Sequence, residues 1–223
     1  MGNNLKNYAI VLASGTGSRF GGNLPKQFEK IGEKTILELS LDIFEQNKGI
    51  DEIILVITPE YFDLAKNIIK NKYKKLFKIL KGGATRKDSS SIGVNALEED
   101  EANVLIHDCA RPFLSQMVLN KCISSLKKYD AVDVAVPVTD TVMTVENGFI
   151  KNIPERKTMY ASQTPQCFKL SVIKRAHELS RGNNDFTDDC GMVLKYNLAQ
   201  IYIVEGEAKN IKITYPQDIS KNF

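Results

Sequence analysis

Short apolar runs alternate with helical patterns along most of this chain, and that alternation limits the fold more than any other property. Ala9–Ala13, Glu52–Thr58, Lys78–Lys81, Asn103–His107 and Ala131–Pro137 read as strands. Between them, Ile36–Gln46, Tyr61–Asn71, Ser89–Leu97 and Val118–Tyr129 place apolar residues at helical spacing. Parallel strands need crossover connections, and helices of about ten residues supply them. The expectation is therefore α/β: a doubly wound, mostly parallel sheet covered on both faces. Ligands of such sheets bind beyond the carboxyl ends of the strands.

Polar clusters fall at those ends. Gly15 to Lys26 follows the first strand, Gly82-Gly83-Ala84-Thr85-Arg86 the third, His107-Asp108-Cys109-Ala110-Arg111-Pro112 the fourth, and Thr139-Asp140-Thr141 the fifth. The first cluster is the most informative. Gly15 and Gly17 let an anion approach the backbone closely, successive N–H groups can form an anion nest, and Arg19 and Lys26 add charge-assisted bonds to phosphate. Phe20 stands where the dinucleotide fingerprint needs a third glycine, and the Gly-Lys-Ser/Thr of the Walker loop is absent. A GxGxR turn followed by Pro25-Lys26-Gln27 remains, which suits a nucleoside triphosphate. An ordinary strand-to-helix turn with exposed cations has the same local pattern.

One segment breaks the alternation. Thr141–Val145 and Phe149–Ile153 are joined through Glu146-Asn147-Gly148, a hairpin signal. A ribbon this small needs a partner surface. The expectation is an arm over about 141–160 that packs on a second copy of the chain, with a fold back onto its own domain as the other reading. No linker or repeat divides residues 1–223, so a single domain is expected. A net charge of +3, with acidic residues interspersed, argues against a nucleic-acid surface. No apolar run approaches the roughly 18 residues of a membrane span, and the short polar start suggests a cytoplasmic protein. Cys109, Cys122, Cys167 and Cys190 are far apart without CxxC spacing, so reduced, buried thiols are expected.

In order, the chain carries GTGSRF with PKQF, GGATRKDS, HDCARPF, PVTDTV, TPQCF, FTDD and EGEAKNIKITYPQDI. On these blocks it resembles, from about Ala9 to Ile219, the cytidylyltransferases that make CDP-methylerythritol in non-mevalonate isoprenoid synthesis, together with their relatives that make CDP-ribitol. The resemblance implies a Rossmann-like domain, a homodimer built through the hairpin arm, and a Mg²⁺-dependent reaction of CTP with a polyol phosphate that releases pyrophosphate. It further implies that Arg19, Lys26 and Lys212 act on the reacting phosphates. Ala13, Ser14, Gly15, Gly17, Gly82, Gly83, Ala84 and Ser89 would hold CTP. Asp108, Arg111 and Thr141 would face the polyol phosphate, joined by Arg156, Thr164 and Thr187 from the dimer partner. The metal would be held mainly by the triphosphate.

A phosphate monoester is already a good oxygen nucleophile at neutral pH, so such a reaction needs alignment and charge neutralisation rather than a general base. Asp108 is expected to accept hydrogen bonds from polyol hydroxyls; helping to place the metal or orienting Arg111 are the other readings. His107 is expected to be structural, His177 to lie on the surface of a helix Leu170–Ser180, and Cys109 to be a small buried residue. Thr187 reads as an N-cap with Asp188-Asp189 in the first helical turn, or these carboxylates as metal ligands. For the acceptor, GGATRKDS, PVTDTV and FTDD are similar to the methylerythritol-phosphate branch, whereas Met159-Tyr160 departs from the Leu-Trp common there and looks like the ribitol-phosphate branch. An inactive nucleotide-binding protein is the alternative from another class; the presence of Arg19, Lys26, Arg156 and Lys212 argues against it.

Overall fold

The computed structural model describes residues 5–15, 20–21, 24–183 and 185–220. In chain order its strands are β1 (Asn7–Ala13), β2 (Lys30–Ile31), β3 (Lys34–Thr35), β4 (Glu52–Ile57), β5 (Leu76–Lys81), β6 (Asn103–Asp108), β7 (Ala131–Pro137), β8 (Thr144–Glu146), β9 (Phe149–Asn152), β10 (Tyr160–Ser162), β11 (Gln166–Lys169) and β12 (Ile201–Glu205). The helices are α1 (Ile36–Gln46), α2 (Phe62–Ile69), α3 (Arg86–Asn95), α4 (Gln116–Ser125), α5 (Leu170–Leu179), α6 (Asp189–Lys195) and α7 (Gln217–Ser220).

One eight-stranded sheet organises them. β5, β4, β1 and β6 lie side by side and parallel, so their carboxyl ends share one edge. β11 pairs antiparallel with both β6 and β7, β10 continues along the same side of β7, and β12 runs parallel to β7 on its other side. The sheet is thus mostly parallel, as expected, with a short antiparallel insertion.

Burial on both faces explains the apolar runs. Along β1, Ala9, Val11 and Ala13 join a core beneath α1, α2 and α4, while Tyr8, Ile10 and Leu12 join a second core beneath α3, α5 and α6. That two-faced alternation is the doubly wound arrangement. α3 approaches the sheet closely: a Cβ added at Gly93 would lie 2.6 Å from Cγ2 of Ile10. The first turn of α3 lies beside the end of β1, where Ser89 meets Ser14.

The hairpin forms where expected. β8 and β9 pair antiparallel around Asn147 and Gly148, whose φ angles of 52° and 83° both lie in the left-handed region of a type I′ turn. Met143, Val145, Phe149, Ile150 and Ile153 are all exposed, with Phe149 at 78% of its full exposure. Among the described residues, no helix is long and apolar enough to cross a membrane.

Three readings of the sequence need correction. α3 begins at Arg86 rather than Ser89, because Thr85 and Asp88 form a capping box: the Asp88 N–H donates to Thr85 Oγ1 at 3.0 Å, and the Thr85 N–H donates to Asp88 Oδ2 at 3.1 Å. α6 is capped by Asp188, not Thr187, through a 2.8 Å bond from the Gly191 N–H. His177 is buried, not superficial, because α5 turns it towards α3, where its Nε2 lies 3.1 Å from Ser90 Oγ. The four cysteines are free and buried.

Candidate functional site

A cleft of about 280 Å³ opens at the carboxyl edge of the parallel strands. β1 contributes Ala13 and, just beyond it, Ser14 and Gly15; the turn after β5 contributes Ala84, Thr85 and Arg86; β6 contributes Asp108, followed by Cys109 and Ala110; Lys26, Gln27 and Lys212 complete the walls. Chain segments separated by up to about two hundred residues meet here because parallel strands put their ends together.

One wall is polar and closely fitted. Ser14 Oγ and Ser89 Oγ are 2.7 Å apart, and Ser89 Oγ accepts the Gly83 N–H at 3.2 Å while donating to Thr85 O at 3.0 Å. Gly82 is required by space: a Cβ there would lie 2.6 Å from Ser14 Cβ and 2.9 Å from Ser89 Oγ. Ala13, Ser14, Gly15 and Ala84 therefore line the cleft, while Gly82, Gly83 and the fully buried Ser89 pack directly behind them. Gly17 and Arg19 lie outside the described residues.

The stem of the glycine turn is held by Gln27, whose buried side-chain amide donates to the carbonyls of Ala13 at 2.9 Å and Gly15 at 3.3 Å. Its neighbour Lys26 donates to Ile213 O at 2.6 Å, and the Ile213 N–H donates to Ala110 O at 2.8 Å. The Lys26 turn, the segment Lys212-Ile213 and the Asp108–Pro112 loop are thereby tied to one another.

Asp108 is the charged centre of the cleft lining. Its Oδ1 accepts Arg86 Nε at 2.9 Å and its Oδ2 accepts Lys212 Nζ at 2.7 Å. Although burial opposes ionisation, these two cations hold the Asp108 carboxyl far below the ordinary carboxylate range. Arg86 also donates through Nη1 to Asp189 at 2.8 Å, and Asp189 accepts Ser90 Oγ at 2.6 Å. Because Ser90 spends its proton on Asp189, it accepts from His177 Nε2. This is a buried orienting network behind Arg86, not a nucleophilic triad. Asp189 is fully buried, with Arg86 and Ser90 occupying its oxygens, and Asp188 is spent on its cap; among the described residues no cluster of three potential ligands could hold a metal ion.

The reading in which Asp108 orients Arg111 is corrected: Arg111 Nη1 donates to Asn210 O at 2.8 Å and Nη2 to Ser162 O at 3.3 Å. Thr164 is buried and joined to the same loop. The Asp108 N–H donates to its Oγ1 at 3.1 Å, and Oγ1 lies 3.0 Å from His107 Nδ1. His107 Nε2 faces Arg111 O at 3.0 Å, and a carbonyl only accepts, so the ring proton sits on Nε2 and Thr164 donates to Nδ1. Burial pushes the His107 imidazole down to about 4, which keeps it neutral and structural, as expected. Burial also pushes the Cys109 thiol up to about 12, so it is no nucleophile at neutral pH.

Thr141, Arg156 and Thr187 are exposed and do not line this cleft. Arg156, within the arm, donates through Nη1 to Thr139 O at 3.1 Å, in the segment that leads into it. Sequence reasoning missed Arg86 and Gln27. Arg86 was legible as the residue after a Thr-x-x-Asp cap; Gln27 carried no signal beyond its place beside Lys26.

Comparison with known proteins agrees with this geometry. The family model IspD: 2-C-methyl-D-erythritol 4-phosphate cytidylyltransferase matches residues 8–222. The bifunctional ribulose 5-phosphate reductase/CDP-ribitol pyrophosphorylase Bcs1 of Haemophilus influenzae is 42% identical over 97% of this chain, which spans only 47% of that longer protein. The 2-C-methyl-D-erythritol 4-phosphate cytidylyltransferase of Thermosipho melanesiensis is 40% identical over 96% of this chain and 94% of its own. The crystal structure of the 4-diphosphocytidyl-2C-methyl-D-erythritol synthase from Anaerococcus prevotii superposes with a TM-score of 0.86 at 33% identity, covering 98% of this chain and 97% of that one.

Proposed function

Because the chain belongs to the 2-C-methyl-D-erythritol 4-phosphate cytidylyltransferase family, we propose that it transfers CMP from CTP to 2-C-methyl-D-erythritol 4-phosphate with release of pyrophosphate. The observation that carries this reading is the cleft itself, which in about 280 Å³ brings Ser14, Gly15 and Ala84 together with Lys26, Arg86, Asp108 and Lys212. Ser14 and Ala84, backed by Gly82, Gly83 and Ser89, take the nucleoside, and the glycine turn that begins at Gly15, with Gly17 in it by sequence, takes its phosphates. Lys26, Lys212 and Arg19 supply the positive charge.

In this reading the acceptor's phosphate oxygen attacks the α-phosphorus, the bond to the α,β-bridging oxygen breaks, and pyrophosphate leaves with that electron pair. Lys26 and Lys212 neutralise the charge that grows on the α-phosphate and the leaving group, and they align the two reactants. No proton need be removed from the nucleophile, which agrees with a lining that, among the described residues, holds no histidine. Among the described residues one carboxylate, Asp108, reaches the cleft, a donor set that suits magnesium carried in by the triphosphate. When bound, the ion would screen the triphosphate; both Asp108 oxygens are held by Arg86 and Lys212, so its ligands would come mainly from the phosphates and water.

We further assign the exposed arm to a homodimer of single-domain subunits in the cytoplasm. Seating the arm on a second copy covers Phe149 and Ile150 and lets Arg156 and Thr187 serve the acceptor phosphate with Arg111 and Thr141; Thr164, expected in that role, is instead buried in its own subunit with its hydroxyl shared between the Asp108 N–H and His107. A second reading, D-ribitol 5-phosphate as acceptor, draws on the 42% identity to the CDP-ribitol relative and on Met159-Tyr160, which enters β10 beside the arm. The test is pyrophosphate release from CTP with each acceptor, compared as kcat/KM. A preference of about a hundredfold for methylerythritol phosphate is expected; the reverse preference selects the second reading, and no release with either refutes both.

A further inference from the structure

Asp108 has two cationic partners that differ in how they are held. Arg86 is gripped twice, by Asp108 at 2.9 Å and by Asp189 at 2.8 Å, and Asp189 is itself fully buried and anchored by Ser90. Lys212 has one carboxylate contact, at 2.7 Å, and its side chain is 41% exposed against 24% for Arg86. Its flexible stem lies in the cleft lining, within reach of anything that fills the cleft.

We propose that Arg86 is the resident counter-ion of Asp108 and Lys212 the exchangeable one: in the empty cleft Lys212 is parked on Asp108, and an entering polyphosphate draws it away while Arg86 stays. Arg86 is then a positioning residue that acts through Asp108, and Asp189 positions Arg86. The physical reason is charge balance. A carboxylate at 11% side-chain exposure cannot give up its only cation beside incoming phosphates without a large penalty. With Arg86 fixed on the other oxygen, the carboxylate remains neutralised when the ammonium leaves. The Arg86 Nη2, buried and without a hydrogen-bond partner in this state, is where the fork can readjust as Lys212 departs.

This inference rests on the proposed polyphosphate substrate but can be tested apart from it, with inorganic tripolyphosphate as the probe. Removing Arg86 alone strands Asp189, so the variant is Arg86→Gln combined with Asp189→Asn, which replaces the buried ion pair by two amides. Calorimetry would then measure the effect of Lys212→Met in both backgrounds. In the parent, Lys212→Met is expected to weaken tripolyphosphate binding about tenfold or more, as befits a charge-assisted bond. In the Arg86→Gln/Asp189→Asn background the same change is expected to cost less than about threefold, because the lysine never leaves Asp108. Equal losses in the two backgrounds, or a parent protein that does not bind tripolyphosphate, would overturn the proposal.

A second measurement needs no Arg86 variant. In the parent protein, tripolyphosphate should move the Lys212 ¹⁵Nζ resonance and leave that of Arg86 Nε in place; movement of Arg86 alone, or of both, refutes the exchange. Coupling with tripolyphosphate but no pyrophosphate release from CTP would sink the proposed function and uphold the exchange.

Discussion

Ser14 and Ser89, one just past the first strand and the other in the third helix, meet through their hydroxyls at 2.7 Å. That bond joins the glycine turn after β1 to the GGATRKDS segment. Ser89→Ala is expected to raise the KM for CTP about tenfold with a smaller change in kcat, the loss of about one hydrogen-bonding contact. Steady-state kinetics at saturating acceptor would read this. An unchanged KM would remove Ser89 from the nucleoside wall.

Gly82 probes the same wall by volume. Gly82→Ala places a methyl group 2.6 Å from Ser14 Cβ, and overpacking of this kind costs about 1–3 kcal/mol. The Tm should fall by about 3–10 °C, with weaker CTP binding. A melting curve that does not move would mean that the turn yields without strain.

Lys26→Ala tests the electrostatic account. A loss of about 10²- to 10³-fold in kcat is expected, larger than the change in KM. Turnover within tenfold of the parent would show that the Lys26–Ile213 contact is structural only.

The arm offers a separable effect. Phe149→Asp with Ile150→Asp should convert a dimer into monomers in sedimentation velocity, while CTP binding survives because the cleft is built within one chain. Arg156→Ala should raise the KM for the acceptor and leave the oligomer intact. Monomers in the parent protein, or arm variants that leave the acceptor KM unchanged, would refute the assignment.

Asp133 supplies a pH dependence. Burial pushes its carboxyl up to about 6, although Ser162 and Gln166 donate to it. Between the unfolded value of about 4 and about 6 the folded state binds the extra proton, so stability from this group is present below about 4 and is lost as pH rises to 6. Denaturant unfolding of the parent and of Asp133→Asn should show the variant gaining relative stability from pH 4.5 to 7. A constant difference across that range would disprove the shift.

Much of this was legible in the chain. Strands such as Glu52–Ile57, buried on both faces, appear as continuous apolar runs, and the Asn147-Gly148 signal depends only on local backbone preference. β10 and β11 were not legible, because three- and four-residue strands are too short for a period to register, and their pairing is decided by distant partners on β6 and β7. The site followed the same rule. Glycines and cations next to strand ends announced themselves, whereas the environment of Asp108 depends on Arg86, Asp189 and Lys212 converging across 103 and 104 residues. His177 shows the limit from the other side: its polar helical setting concealed a fold that turns it inward onto Ser90.

The capping box of Thr85 and Asp88 closes the first turn of α3 and sets the cleft wall at the same time. A drift in sequence there cannot adjust fold robustness and ligand preference independently, because a weakened cap also displaces Arg86 and Ser89. Selection acting on either property therefore constrains the other, and laboratory evolution of a new acceptor has more freedom in the arm than at the start of this helix.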